Sequence, residues 1–251
     1  MDALMKPIYL LADSQLLFWK DNGKLFLQPL RDMLDEELEA DEEPLAVYIG
    51  ASNGDQPEFY EIFRMAMESI GITNCRMIHS DMPEEEEDAV EDADLILLSG
   101  GDVERGWRVF EKNDLQEIIV RRYYEGALLM GTSAGAVQLG MMGWTSGNGS
   151  APKVIDTFRL IPLIIDVHQE KADWQGLQKA LRKSGGAASA IGIPSGGGMA
   201  YHTDHTIEAI RYPLHEYFLK EGKVTYSLLH PPGPDAPLTR KPIALPASSE
   251  E

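Results

Sequence analysis

The sequence contains a single cysteine, Cys75, among its 251 residues. One thiol excludes an internal disulfide and a zinc site built mainly from cysteines. Long apolar runs are also missing, and none approaches the roughly 20 residues that a membrane-spanning helix needs. Residues 1–6 lack a basic segment followed by an apolar core, so no signal peptide is predicted. Together these absences predict a cytoplasmic protein.

Basic residues are scarce: 22 lysines and arginines stand against 41 aspartates and glutamates, which gives a formal net charge of −19. A chain this acidic repels nucleic-acid phosphates and anionic membranes, so neither is an expected partner. Two acidic blocks, Asp35–Glu43 and Glu84–Asp88, carry much of this charge and are typical of solvated helix ends or loops. The composition does not decide the oligomeric state, and a homodimer stays open.

Short apolar runs, each followed by a loop with glycine or serine, recur through the first half of the chain. They are Pro7–Leu11, Leu45–Ile49, Asp94–Leu98 and Ala127–Met130. Such runs predict parallel strands that are buried on both faces. Helical periodicity separates them at Glu58–Ile70 and Asp114–Tyr124. The alternation predicts a three-layer, doubly wound α/β fold with a mainly parallel sheet, in which ligands bind beyond the carboxyl ends of the strands.

The second half of the chain is less regular. Asp173–Lys183 has a helical pattern, and the segments Met199–His202 and Thr206–Ile210 resemble the two arms of a hairpin. Prolines are frequent after His230, so residues 1–229 are predicted to form one α/β domain and residues 230–251 an irregular tail.

Two features of this half invite a ligand-binding interpretation. The His202-Thr203-Asp204-His205 turn offers two imidazoles and a carboxylate, but no fourth ligand is evident, so a polar hairpin turn is favoured over a metal site. The run Gly196–Gly198 lacks the Lys-Ser/Thr pair of a phosphate-binding loop and is predicted to be a flexible loop or lid. Trp107 and Trp144, beside the loops, are candidates for lining a pocket.

The most informative stretch is residues 131–136 (GTSAGA), which follow the last of the apolar runs. A buried strand, a turn of small residues and the start of a helix are typical of a nucleophile elbow, with the Ser133 hydroxyl exposed on the turn. The N-terminus of that helix would direct N–H groups toward a developing oxyanion. An ordinary tight turn with a capping serine is the alternative for this segment taken alone.

Further motifs extend the pattern, and the chain from about residue 6 to residue 212 resembles the dipeptidase E and cyanophycinase group of serine peptidases. The motifs that carry the resemblance are Ile49–Asn53, Leu98–Asp102, Gly131–Ala136, Ile165–His168 and Ile191–Ile193. The resemblance implies a fold like that of class I glutamine amidotransferases, with serine replacing the cysteine nucleophile. It also implies that Ser133 is the nucleophile, that His168 is its general base, and that the N–H groups of Gly101 and Ala134 form the oxyanion hole.

The chain departs from this family at the acid that orients the histidine. Ser195 stands where cyanophycinases have their glutamate, and Asn148 stands where dipeptidase E has its aspartate. Asparagine can orient a histidine but cannot stabilise an imidazolium by charge. Asn148 is therefore the preferred candidate for orienting His168, with Asp166 and Asp156 as substitutes.

A second departure concerns the substrate. The arginines that follow the histidine in the family are absent, and a lone Lys171 cannot grip a carboxylate with two parallel hydrogen bonds. Asp102, Asp166 and Lys171 are the candidate substrate-binding residues. The sequence thus predicts a serine hydrolase that cleaves an amide bond in a small peptide without a metal or organic cofactor. The alternative is an impaired relative that binds a small peptide or amino acid without cleaving it.

Overall fold

The computed structural model describes residues 5–36, 38, 42–144, 153–185 and 189–233. Its strands are β1 (Ile8–Leu11), β2 (Lys20–Asp21), β3 (Lys24–Leu25), β4 (Ala46–Ile49), β5 (Cys75–Ile78), β6 (Leu95–Leu98), β7 (Leu128–Thr132), β8 (Met142–Trp144), β9 (Val154–Asp156), β10 (Leu163–Val167), β11 (Ser189–Ile193), β12 (Gly198–Tyr201), β13 (Ile207–Ile210), β14 (Leu214–Lys220) and β15 (Lys223–Leu229). Its α-helices are α1 (Gln28–Asp35), α2 (Pro57–Glu68), α3 (Glu84–Glu91), α4 (Val103–Lys112), α5 (Leu115–Tyr124), α6 (Ala134–Leu139) and α7 (Gln175–Lys183). Short 3₁₀ turns occur at Ser14–Phe18, Ala51–Asn53 and Glu170–Ala172.

The largest sheet has seven strands in the order β13-β12-β1-β7-β6-β4-β5. Five neighbouring strands of this sheet, β1, β7, β6, β4 and β5, run parallel. The β12–β13 hairpin is added at one edge, where β12 pairs antiparallel with β1. All four apolar runs of the first half form strands of this sheet, as predicted. The sheet is therefore mainly parallel, with the loops after β1, β4, β6 and β7 at one edge.

Alternating side chains of these strands enter two separate cores, which explains the three layers. Ile8 and Leu10 face a core that also contains residues of α3, α4, α5 and α6. Tyr9 and Leu11 face the opposite core, which contains residues of α1 and α2. Because each strand is apolar on both faces, helices must cover both sides of the sheet.

A second sheet has four strands in the order β10-β11-β14-β15. The apolar stretch Leu160–Ile165 before His168 predicts a strand that delivers the histidine to the sheet edge of Ser133. A strand forms there as β10, but it belongs to the second sheet, in parallel register with β11 from Leu163 opposite Ser189 to Val167 opposite Ile193. Successive side chains of β10 point to opposite faces of the second sheet, and both faces are covered by apolar residues. Ile165 packs in the core of the main sheet, whereas Ile164 packs with α7 on the other side.

The predicted hairpin of the second half is confirmed as β12 and β13. Both histidines of its turn form hydrogen bonds with residues of the hairpin itself. His202 Nε2 lies 3.1 Å from Glu208 Oε2, and His205 Nδ1 lies 2.8 Å from the Tyr201 hydroxyl. Within the described residues, no group of three or more side chains of the types that bind metals comes together.

The acidic block Glu84–Asp88 begins α3, so its carboxylates stand at the N-terminus of a helix, where negative charge is favourable. Part of the block Asp35–Glu43 lies outside the described residues. No helix in the described ranges combines the length and the apolar character that crossing a membrane requires.

Candidate active site

Ser133 lies between strand β7 and helix α6, with φ 51° and ψ −108°. Residues other than glycine seldom adopt a positive φ, and such strain is typical of functional positions. The turn is closed by a 2.9 Å hydrogen bond from the Ser133 N–H to the Leu11 carbonyl. A methyl group on Gly131 would lie 2.5 Å from the carbonyl carbon of Gly135, and one on Gly135 would lie 2.3 Å from the Leu98 oxygen. The small residues around Ser133 are thus required by close backbone packing.

His168 follows strand β10 directly, and its backbone also has a positive φ, 45°. Its N–H donates a 2.9 Å hydrogen bond to the Ile193 carbonyl, which fixes the residue to the end of β11. Its Nε2 atom lies 2.9 Å from Ser133 Oγ. The serine comes from the large sheet and the histidine from the second sheet, and their side chains meet within hydrogen-bond distance.

The two backbone amides that the resemblance nominates for an oxyanion hole lie beside this pair. Gly101 has φ 133°, and a methyl group on it would lie 2.2 Å from the Ser52 carbonyl oxygen, so only glycine fits. In the part of the chain that the structure describes, its N–H donates no hydrogen bond. Ala134 is the first residue of α6, where a backbone N–H has no acceptor within the helix.

Two cavities flank the pair, and Gly101, Ser133 and His168 line both of them. The first, of about 260 Å³, is walled mainly by apolar side chains from the loop after β1 and from α2. The second, of about 180 Å³, has a more polar wall that includes Ala134, Asp166 and Trp144.

Of the two tryptophans predicted to line a pocket, Trp144 does so, whereas the Trp107 ring packs edge-on against Phe158 at 5.1 Å.

Asp166 is 6% exposed, and its Oδ1 accepts a 2.9 Å hydrogen bond from the Val167 N–H. Burial raises the pKa of Asp166 to about 7, although the Val167 N–H favours the charged form. No hydrogen bond joins Asp166 to His168 among the described residues. Asp166 therefore lies in the wall of the second cavity and, in the described part of the chain, does not contact the histidine by a hydrogen bond.

The other predicted site residues are dispersed. Asp102 caps α4, where its side chain accepts a 2.8 Å hydrogen bond from the Arg105 N–H. Lys171 is exposed in the turn after His168 and belongs to the wall of neither cavity. Asp156 is exposed and forms an ion pair with Arg159. Asn148 lies outside the described residues.

The structure also places near His168 a carboxylate, that of Glu170, which the sequence analysis missed. Glu170 Oε1 accepts a hydrogen bond from the Ser195 N–H, so a glutamate two residues after His168 reaches the position that lacks the family acid. Burial alone would raise the pKa of Glu170. Hydrogen bonds from Ser195 and from the backbone of Glu170 itself, together with the electrostatic attraction of His168, outweigh burial and leave the pKa below its ordinary value. The closeness of Glu170 to His168 in sequence is the only signal that could have pointed to it.

Comparisons with known proteins bear on the family and the fold. The sequence model of peptidase family S51 matches residues 9–209. The crystal structure of a peptidase from an acI-B1 Actinobacterium is similar with a TM-score of 0.64 and 16% sequence identity, covering 90% of this chain and 98% of that one. A putative peptidase E protein from Listeria monocytogenes EGD-e is similar with a TM-score of 0.53 and 16% identity, covering 90% of this chain and 100% of that one. No curated protein matches the sequence significantly.

Proposed function

Because the chain belongs to peptidase family S51 and is a serine-type peptidase, we propose that it cleaves an amide bond in a small peptide through an acyl-enzyme on Ser133. The 2.9 Å separation between Ser133 Oγ and His168 Nε2 is the observation that carries this proposal. A serine hydroxyl is a weak nucleophile until a base within hydrogen-bond reach takes its proton. The modest size of both cavities favours a short peptide over a folded protein.

The proposed reaction has two halves. Ser133 Oγ attacks the substrate carbonyl while His168 Nε2 takes the hydroxyl proton, and the N–H groups of Gly101 and Ala134 stabilise the oxyanion. His168 then donates this proton to the leaving amine, and the acyl group stays on Ser133. A water molecule, activated by the same imidazole, hydrolyses the ester and restores the serine.

This cycle requires that the His168 ring keep its Nε2 atom directed at the serine. We infer that Glu170 is the positioning residue, because its carboxylate is held by Ser195 at the place of the family acid and is close enough to His168 for their charges to interact. A negative charge there stabilises the imidazolium formed during attack. Asn148 and Asp166 remain the predictions from sequence for the same role.

Labelling with a fluorophosphonate probe tests the proposal, because the probe reacts only with an activated serine. Wild-type protein should be labelled, whereas Ser133→Ala and His168→Ala should lose labelling. Ser69→Ala is the matched control. Ser69 directly follows helix α2, and its hydroxyl donates a hydrogen bond to the Ala66 carbonyl. Equal labelling of wild type and Ser133→Ala would contradict the proposed nucleophile.

Binding of a small peptide without turnover is a second candidate, and one observation favours it. Among the described residues, Ser133 is the single hydrogen-bond partner of the His168 ring. A wild-type protein that resists the probe yet binds dipeptides in calorimetry would establish this second candidate.

A further inference from the structure

We propose that the first cavity binds an apolar side chain, branched or aromatic, of the substrate residue next to the scissile bond. This inference rests on the proposed function, because it treats Ser133 as the reacting group. The resemblance to dipeptidase E implies instead a dipeptide with an Asp residue, an expectation that the missing arginines after His168 weaken. Three properties of the cavity carry the inference: its position, its size and the state of its polar groups.

The cavity opens directly onto the reacting pair. Ser133 and His168 line it, together with Leu17 and with Phe59 and Phe63 of helix α2. A substrate whose carbonyl carbon lies at Ser133 Oγ would therefore direct a neighbouring side chain toward the aromatic wall.

Its size suits one large side chain. The volume is about 260 Å³, whereas an apolar cavity of about 150 Å³ already accommodates benzene. Phe63 and Leu17 are 1% and 3% exposed, so this wall is fixed by the core beneath it. Phe59 is 45% exposed and stands at the rim, where a bound side chain would cover it.

Two polar side chains in the wall, Asn53 and Asp13, are already paired within the protein, and the Thr132 hydroxyl is buried without a partner among the described residues. Asn53 Nδ2 donates to the Tyr48 hydroxyl at 2.7 Å, and Asn53 Oδ1 accepts from the Gln56 N–H at 3.1 Å. The Asp13 carboxylate accepts from the N–H groups of Gln15 and Gly196 at 2.9 and 2.7 Å. A polar substrate side chain would lose water in this cavity and find Asn53 and Asp13 already engaged, and such burial is unfavourable.

Charge also argues against an acidic side chain. Within the described residues, no lysine or arginine lines either cavity, whereas Asp13 lines the first and Asp166 the second. In the first cavity a substrate carboxylate would face the like charge of Asp13, in a protein of net charge −19. An apolar side chain gains from leaving water and pays no such penalty.

The test is calorimetric binding of dipeptides to the Ser133→Ala protein, which cannot consume them. The panel is Phe-Ala, Leu-Ala and Asp-Ala with the reversed Ala-Phe, Ala-Leu and Ala-Asp. We expect a phenylalanine or leucine dipeptide to bind at least about tenfold more tightly than the aspartate dipeptide of the same order. Equal or tighter binding of the aspartate dipeptides would overturn the inference.

A pair of variants in the same background locates the effect. Phe59→Arg adds a cation at the rim, so the ratio of Phe to Asp affinity should fall about tenfold. Met65→Arg is the matched control, because Met65 lies on the same helix, is 55% exposed and lines neither cavity. Identical ratios in the two variants would place the preference elsewhere.

The two proposals fail separately. Wild-type protein that resists the fluorophosphonate probe removes the proposed function, while the binding ratio on Ser133→Ala still decides the cavity. Wild-type protein that is labelled, with binding that favours aspartate, removes the apolar site and leaves the serine mechanism intact.

Discussion

Asp166 is a carboxyl group kept away from water, and its ionisation links pH to stability. Its pKa is about 7 in the folded protein, against an ordinary value of 3.8. Between these values the unfolded chain has released this proton and the folded protein retains it, so a rise in pH destabilises the fold through this group. Below pH 4 the contribution vanishes, because the group is protonated in both states.

Asp166→Asn should remove this dependence. The free energy of unfolding of the variant, relative to wild type, should rise between pH 4 and pH 8 by several kcal/mol, up to about 4 kcal/mol for a shift of about three pKa units. Urea unfolding at four pH values measures it. Asp88→Asn, on the exposed face of α3, is the matched control and should track wild type. A constant difference across the range would show that Asp166 is ionised in the fold.

The positioning role of Glu170 predicts a change in catalysis with little change in stability. Glu170→Gln keeps the size but loses the charge, so kcat/KM should fall about 10- to 100-fold. This is less than the roughly 10⁴-fold effect of neutralising a buried triad aspartate, because solvent screens the half-buried Glu170.

The pH profile separates this role from a structural one. The acid limb of activity in Glu170→Gln should move to lower pH, because the amide no longer stabilises the imidazolium. Glu117→Gln, exposed on helix α5, is the control and should leave both kcat/KM and the profile unchanged. An unchanged pH profile of Glu170→Gln would mean that Glu170 does not position His168, and Asn148 and Asp166 would then be the candidates for that role.

At the scale of single residues, the local sequence predicted the turn that holds Ser133 but not the contact between Glu170 and Ser195. The turn around Ser133 needs small residues at adjacent positions, so its sequence is recognisable by itself. The contact between Glu170 and Ser195 joins residues 25 positions apart, and it depends on how the loop after β11 folds back. No pattern in either segment encodes that contact.

At the scale of elements, the close approach of α7 to the second sheet makes a stability prediction. A methyl group on Gly192 would lie 2.6 Å from the ring of Trp174, which is 1% exposed and has no room to move. Gly192→Ala should therefore destabilise the protein by about 1–3 kcal/mol through overpacking.

Thermal or urea unfolding measures this effect, and the chain offers a matched glycine. Gly176 lies in α7, and a methyl group there would approach nothing closer than 3.7 Å. Gly176→Ala should be neutral or stabilising by up to about 1 kcal/mol, because alanine favours a helix. Equal stability of the two variants would mean that Trp174 repacks without cost.

Strands that are apolar on both faces were predictable, whereas the amphipathic strands β14 and β15 at the surface were not. The strands of the parallel sheet are continuous apolar runs and stand out in the sequence. The hairpin of β14 and β15 was missed, because its strands mix buried and exposed residues and carry charged side chains. Its turn at Glu221 and Gly222, both with positive φ, was the available signal.

At the scale of the whole molecule, the excess of negative charge predicts a stabilising effect of salt. A net charge of −19 opposes compaction through self-repulsion, and salt screens that repulsion. Exposed ion pairs such as Arg64 with Glu61 are screened as well, but each contributes little to stability in water. Raising NaCl from 10 to 150 mM should therefore raise Tm by about 2–4 °C, which corresponds to about 1 kcal/mol.

Differential scanning calorimetry at neutral pH measures this shift. The same salt step at a pH near the sequence pI of about 4.6 is the control, because the net charge then approaches zero and the shift should largely vanish. A fall in Tm at neutral pH would show that specific ion pairs outweigh the general repulsion.

The division of the reacting pair between two sheets has a consequence for the newly made chain. Ser133 can take its place once β1, β6 and β7 have paired, but His168 is fixed only after β10 has paired with β11, which ends at Ile193. Until the ribosome has delivered that later segment, Ser133 is an ordinary alcohol with no base beside it. The unfinished chain thus lacks the serine–histidine pair on which the proposed reaction depends, and the pairing of β10 with β11 is the folding step that supplies it.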